Sequence, residues 1–166
     1  MWATLIGLVE DGEVVVGLVS APALSRRWWA GQGSGAWTGS RLSSATQMHV
    51  SDVGELDHAF LSYSSLHGWA ETDRLPQMLN FMQRCWRTRA FGDFWSYMLV
   101  AEGAVDLAAE PELNLHDMVA LAPIVTEAGG RFTSLDGEDG PFGGNAMASN
   151  SILHEEALAA LAPRER

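Results

Sequence analysis

Three acids, Asp93, Glu110 and Asp117, stand where elements of structure should begin or end. Carboxylates gathered at strand and helix ends can hold a divalent cation or accept hydrogen bonds from a polar substrate. Asp117 lies in Asn114-Leu-His-Asp117-Met-Val-Ala-Leu-Ala-Pro-Ile-Val-Thr-Glu-Ala-Gly-Gly130, an apolar-faced run closed by two glycines. At the start of a helix a carboxylate is favoured by the macrodipole, and the free N–H groups there can also receive a phosphate. Both a plain N-cap and a ligand role fit this residue. Asp93 follows Gly92, and either caps the next helix or serves as a ligand. Glu110 follows the apolar run Val105–Ala109, so a solvated strand end stands beside a substrate role. His116 lacks a spaced partner that would make it a metal ligand. No Ser/His/Asp set, CxxC or HxH pair occurs.

The elements that must position these acids are legible from periodicity and turn signals. Ala3–Val9 and Glu13–Ala21 are β-rich runs around Glu10-Asp11-Gly12, which predicts a hairpin. A second hairpin is expected from Arg27–Ala30 and Gly35–Thr38, with Gly31-Gln-Gly-Ser-Gly35 as its loop. Those glycines are not followed by Lys-Ser/Thr or by a helix, so a turn fits better than a phosphate cradle. Phe60–Tyr63 is a strand, and Asp73–Cys85 a helix presenting Leu75, Met78, Leu79 and Met82. Phe94, Tyr97, Met98 and Ala101 have the spacing of one helix face, and Gly103 stops that helix before the strand Val105–Ala109. Pro123 should kink the Asp117 helix or delay its start. Arg131–Ser134 and Ala146–Ser149 are strands, and Asn150 should cap a last helix ending at Leu161. Trp28 and Trp29 read as core or interface. The order of elements is mixed α and β.

Composition bounds the function. The 166 residues suffice for one domain with a real core, and 47% are hydrophobic. The net charge is −11 and all ten cations are arginine, a balance that argues against nucleic acid and acidic membranes. So acidic a protein needs a divalent cation if it is to handle a phosphorylated substrate. Cys85 is the sole cysteine, which excludes an internal disulfide and suits a reducing cytoplasm. The apolar opening Met1–Val9 is too short to span a bilayer and reads as a buried strand.

Three segments, Ala3–Pro22, Arg89–Ala109 and Glu110–Gly130, resemble the inositol monophosphatase-like superfamily of magnesium-dependent phosphomonoesterases. The last is similar to that superfamily's second signature, in which an aspartate opens a helix ending in Ala-Gly-Gly. Ser20-Ala-Pro-Ala-Leu-Ser-Arg-Arg-Trp-Trp-Ala30 and Ala90-Phe-Gly-Asp-Phe-Trp-Ser-Tyr97 look most like its bacterial histidinol-phosphatases. The resemblance covers essentially the whole chain. It implies an α/β fold, the C-terminal part of a layered αβαβα sandwich, as a single domain over residues 1–166. The superfamily's first signature, Asp-Pro-Ile-Asp-Gly-Thr, occurs nowhere in the chain. That absence leads us to expect a C-terminal portion, as a fragment or through a late start codon, with little activity alone.

By similarity, Asp117 matches a metal-binding aspartate, with Mg²⁺ as the ion. Arg89 and Glu110 match substrate-pocket positions, and Gly92-Asp93 the loop beside that pocket; no residue is implied as a covalent nucleophile. His116 stands where the family usually has Trp or Tyr. The implied chemistry is hydrolysis of a phosphate monoester by a metal-activated water. An acid at Asp93 beside Glu110 suits a cationic alcohol, so histidinol phosphate, an intermediate of histidine biosynthesis, is preferred. Inositol phosphate is the alternative substrate, and a non-catalytic fragment the alternative of another class. The expected partners are a small phosphorylated substrate and a second copy meeting through exposed apolar surface, with no nucleic acid and no membrane.

Overall fold

The computed structural model describes residues 2–163. Its first half is an antiparallel sheet of five strands in chain order: β1 (Thr4–Glu10), β2 (Glu13–Ala21), β3 (Arg26–Gly31), β4 (Ala36–Gly39) and β5 (Thr46–Gln47). The β1–β2 turn places Asp11 and Gly12 at φ 51° and 88°, the left-handed pair that a two-residue hairpin loop requires. Both expected hairpins form. The glycine loop between β3 and β4 is a turn, and an anion does sit in it. The N–H groups of Gly33 and Gly35 donate to the Glu127 carboxylate, each at 2.8 Å.

The second sheet is mixed. It comprises β6 (Phe60–Tyr63), β7 (Arg87–Arg89), β8 (Leu107–Glu110), β9 (Arg131–Thr133) and β10 (Ala146–Ser149), in the order β7-β6-β8-β10-β9. Only β6 makes parallel pairs, with β7 and β8. The helices are α1 (Leu66–Glu71), α2 (Leu75–Arg84), α3 (Asp93–Ala101), α4 (Leu115–Met118), α5 (Leu121–Glu127) and α6 (His154–Leu161). Helices α3 and α5 fill the space between the sheets, where Trp28, Phe94, Tyr97, Met98, Ile124 and Phe132 form one core. Helices α1, α2 and α6 cover the far side of the second sheet through Trp69, Met78, Phe81 and Leu161. Strand β8 is buried on both faces, with Ala108 in the first core and Leu107 and Ala109 in the second. The expected α/β sandwich is present as sheet, helices, sheet, helices.

Several boundaries differ from expectation. Strand β8 starts at Leu107 and includes Glu110. Helix α2 starts at Leu75, because Asp73 has a positive φ and Pro76 suits the first helical turn. Its Leu79 faces outward, while Phe81 is buried. Helix α1 has no strong apolar period, so its sequence does not predict it. Asn150 does not directly cap α6. Its Oδ1 accepts the Leu153 N–H at 3.2 Å and its Nδ2 donates to the Val53 carbonyl at 2.8 Å, and the helix begins after that turn.

The Asp117 run divides as its proline demands: α4 ends at Met118 and α5 starts at Leu121, with Pro123 in its first turn. This joint presses on a glycine pair. Gly7 and Gly17 lie opposite each other in the β1–β2 ladder. A Cβ on Gly7 would come within 2.7 Å of Val119, and one on Gly17 within 2.2 Å of the Ala120 carbonyl. Only hydrogen at these two positions lets the α4–α5 joint lie so close to the sheet.

Candidate active site

Asp93 is the first residue of α3 and is held at φ 51° behind Gly92 at φ 70°. Aspartate tolerates the left-handed region better than most residues, and the bend turns its carboxylate out of the helix line. Glu110 closes β8, and Asp117 sits in the first turn of α4 behind Asn114. Asp117 is therefore not the N-cap. Its Oδ2 instead accepts the Asn114 N–H at 3.0 Å, as a third-position acid does in a capping box.

The three acids open on one cleft of about 290 Å³, whose apolar wall includes Leu5, Phe94, Leu113 and Leu121. Among the described residues no arginine or histidine lines it. Glu110 is 6% exposed, which overturns the solvated-end reading of this residue. Its pKa is pushed up to about 7, first by burial and then by the charge of Asp93, with Asp117 adding to the effect. Beside it stands Tyr97, fully buried, whose phenol burial and the nearby Glu110 charge hold well above its ordinary pKa. The hydroxyl is near enough to ease the charge on Glu110, yet neither it nor Glu110 Oε1 reaches hydrogen-bond geometry with any partner.

Asp93, Glu110 and Asp117 are thus brought together. Gly92 adjoins the cleft as the N-cap of α3. Arg89 is exposed on the edge strand β7, its Nη1 donating to the Thr88 carbonyl at 2.7 Å, and it is not part of the cleft wall. His116 is exposed, with Nε2 3.6 Å from Asp117 Oδ1. Tyr97 escaped sequence reasoning because its spacing with Phe94, Met98 and Ala101 reads as core. The available signal was its position four residues after Asp93, on the same helix face.

The inositol monophosphatase family model matches residues 1–165. The chain belongs to the inositol monophosphatase family. Among its relatives, a histidinol-phosphatase of Streptomyces coelicolor is 60% identical over 99% of this chain and 63% of its own length. A histidinol-phosphatase of Mycobacterium tuberculosis is 53% identical over 97% of the chain and 62% of its own length. Among solved structures, an inositol monophosphatase from Zymomonas mobilis superposes with a TM-score of 0.86 at 29% identity, covering 96% of this chain and 62% of that one. The chain therefore spans less than two thirds of the length of these family members.

The donor chemistry of the cleft fits a hard divalent cation: the acids supply oxygen ligands, and one buried carboxylate oxygen has no protein partner. Among the described residues, the acid and histidine atoms that crowd within 4.8 Å of one another are those of Glu55, Asp57 and His58, exposed in the turn before β6. The cleft acids are spread more widely, so Asp117 offers an anchoring ligand rather than a closed shell. No helix among the described residues is long and apolar enough to cross a membrane.

Proposed function

We propose that this chain carries the substrate-recognising part of a magnesium-dependent phosphomonoesterase that hydrolyses L-histidinol phosphate to L-histidinol in cytoplasmic histidine biosynthesis. The observation that supports this most is the convergence of Asp117 in a helix's first turn with the buried Glu110 and with Asp93 on one cleft. The 60% and 53% identities to histidinol-phosphatases favour that substrate over inositol phosphate. Asp117 would hold the metal through Oδ1, since Oδ2 is engaged by Asn114. The cation, expected to be Mg²⁺, would supply a nucleophilic water and neutralise the phosphate charge. Asp93 and Glu110 then accept hydrogen bonds from the alcohol and amine of the substrate and orient it. The acids also set the charge preference, because a cationic leaving alcohol is attracted where a polyol is not.

One remaining carboxylate cannot complete an octahedral shell, so the chain alone should release little phosphate. Joining it to the remaining length of the Streptomyces coelicolor relative tests the reading. With Mg²⁺, that chimera should hydrolyse histidinol phosphate with a higher kcat/KM than inositol phosphate. A cooperatively folded chimera that releases no phosphate from histidinol phosphate would overturn the proposal, and a preference for inositol phosphate would overturn its substrate.

A further inference from the structure

We propose that the cavity at the β2–β3 turn, lined by Ser20, Ser25, Arg27 and Ser40, binds a phosphate group, either free or as the ester of a small molecule. It shares no lining residue with the acid cleft, so the proposal stands apart from the histidinol phosphate reading.

The cavity has a volume of about 300 Å³, and Pro22 and Arg26 complete its wall; among the described residues no acid lines it. Sheet register sets its geometry. Ser20 on β2 and Arg27 on β3 are register partners, so their side chains stand together on one face of the sheet. Arg26 belongs to the opposite face, where the Glu102 carboxylate offsets its charge. Arg27 has no such partner. Its Nη1 donates to the Ser40 carbonyl at 3.0 Å, which holds the guanidinium in place and leaves its other N–H groups unengaged among the described residues. The hydroxyls of Ser20, Ser25 and Ser40 also make no hydrogen bond among the described residues. Ser25, Arg27 and Ser40 are exposed, so a ligand reaches them directly.

That donor set selects an oxyanion. A guanidinium fork matches two oxygens of a phosphate, and the three hydroxyls can donate to the others. Charge distribution singles out the place. The chain carries a net charge of −11, and Arg74, Arg84 and Arg131 are each paired with an acid. Arg41 is exposed and pairs with no acid among the described residues. It lines a second opening, of about 270 Å³, that shares Arg27 and Ser40 with the first. Two arginines without a countercharge therefore meet around Ser40, and an anion is attracted there while the field of the whole chain repels it.

The test uses this chain in metal-free buffer of low ionic strength, where the acid cleft repels phosphate. Backbone amides are followed by NMR during titration with inorganic phosphate and, separately, with glycerol phosphate, against sodium chloride at matched ionic strength. The amides of Ser25, Arg27 and Ser40 should shift saturably with both phosphates and not with chloride. Tighter binding of glycerol phosphate would assign the site to phosphate esters, and tighter binding of inorganic phosphate to the free ion. Arg27→Gln should weaken binding about tenfold, as loss of a hydrogen bond to a charged group does, and Ser20→Ala by a smaller factor. Arg87→Gln removes an exposed arginine that stacks on Trp86, changes the net charge by the same amount, and should leave the affinity unaltered. No saturable shift at the three amides would overturn the proposal. Equal weakening by Arg27→Gln and Arg87→Gln would also overturn it, by reducing the effect to net charge. If Arg27→Gln fails to fold, unaltered affinity in Ser20→Ala would overturn it instead.

Discussion

At the scale of single residues, the cleft acids separate by charge role. In the turnover-competent protein, Asp93→Asn preserves shape, and asparagine accepts the left-handed backbone as readily as aspartate. If Asp93 reads the substrate amine, kcat/KM for histidinol phosphate should fall about ten- to a hundredfold, with little change for inositol phosphate. Asp117→Asn should abolish turnover of both. Equal losses on the two substrates for Asp93→Asn would return that residue to a purely structural role. Glu110 adds a pH signature. Its native pKa of about 7 lies above the ordinary 4.5, so its stabilising contribution is full below pH 4.5 and is lost as pH rises through about 7. The loss is of the order of 3 kcal/mol, and Glu110→Gln should remove it in urea titrations between those pH values. The acids were legible in the sequence because charge near a predicted element end is conspicuous. The burial of Glu110 was not, because it follows from β8 being covered on both sides, which only the tertiary layers decide.

At the scale of elements, His154 joins α6 to the second sheet. Its Nδ1 lies 2.7 Å from Ser149 Oγ on β10 and its Nε2 2.9 Å from Thr133 Oγ1 on β9, with the ring fully buried. Burial, helped by the charge of Arg131, pushes its pKa down to about 4. Its contribution is therefore present above pH 6.5 and lost as pH falls through about 4, the reverse of Glu110. Between those values the two slopes oppose each other, so the unsubstituted chain should show a flat stability profile. Glu110→Gln should expose a fall in stability toward acid, and His154→Gln a fall toward neutrality. Strands and hairpins were legible because their turn residues and alternation are local. The break between α4 and α5 was legible from Pro123. The late start of α6 was not, because Asn150 spends its side chain on Val53, 97 residues away in sequence. No local pattern contains such a contact.

At the scale of the whole molecule, one sheet face has no cover among the described residues. Ile6, Leu18, Trp29 and Trp37 are register partners across β1 to β4 and share the face opposite α5, with Leu8 and Val16 beside them. Ile6 and Leu8 are 54% and 56% exposed. An apolar stripe crossing four strands is larger than a lone surface hydrophobe and favours association with a second copy. Light scattering should find dimers or larger species at micromolar concentration, and Trp29→Arg should shift the population toward monomer without lowering Tm. A monodisperse monomer before substitution would count against this. The glycine pair has a further consequence. Gly7 and Gly17 leave the α4–α5 joint no slack, so Gly17→Ala should destabilise the chain by about 1–3 kcal/mol and push the joint outward. In thermodynamic terms the hairpin and the Asp117 turn are then one linked equilibrium, although their residues are a hundred positions apart. Whatever is held at Asp117 also holds the hairpin shut, so the exchange rates of hairpin amides become a remote gauge of occupancy at the acid.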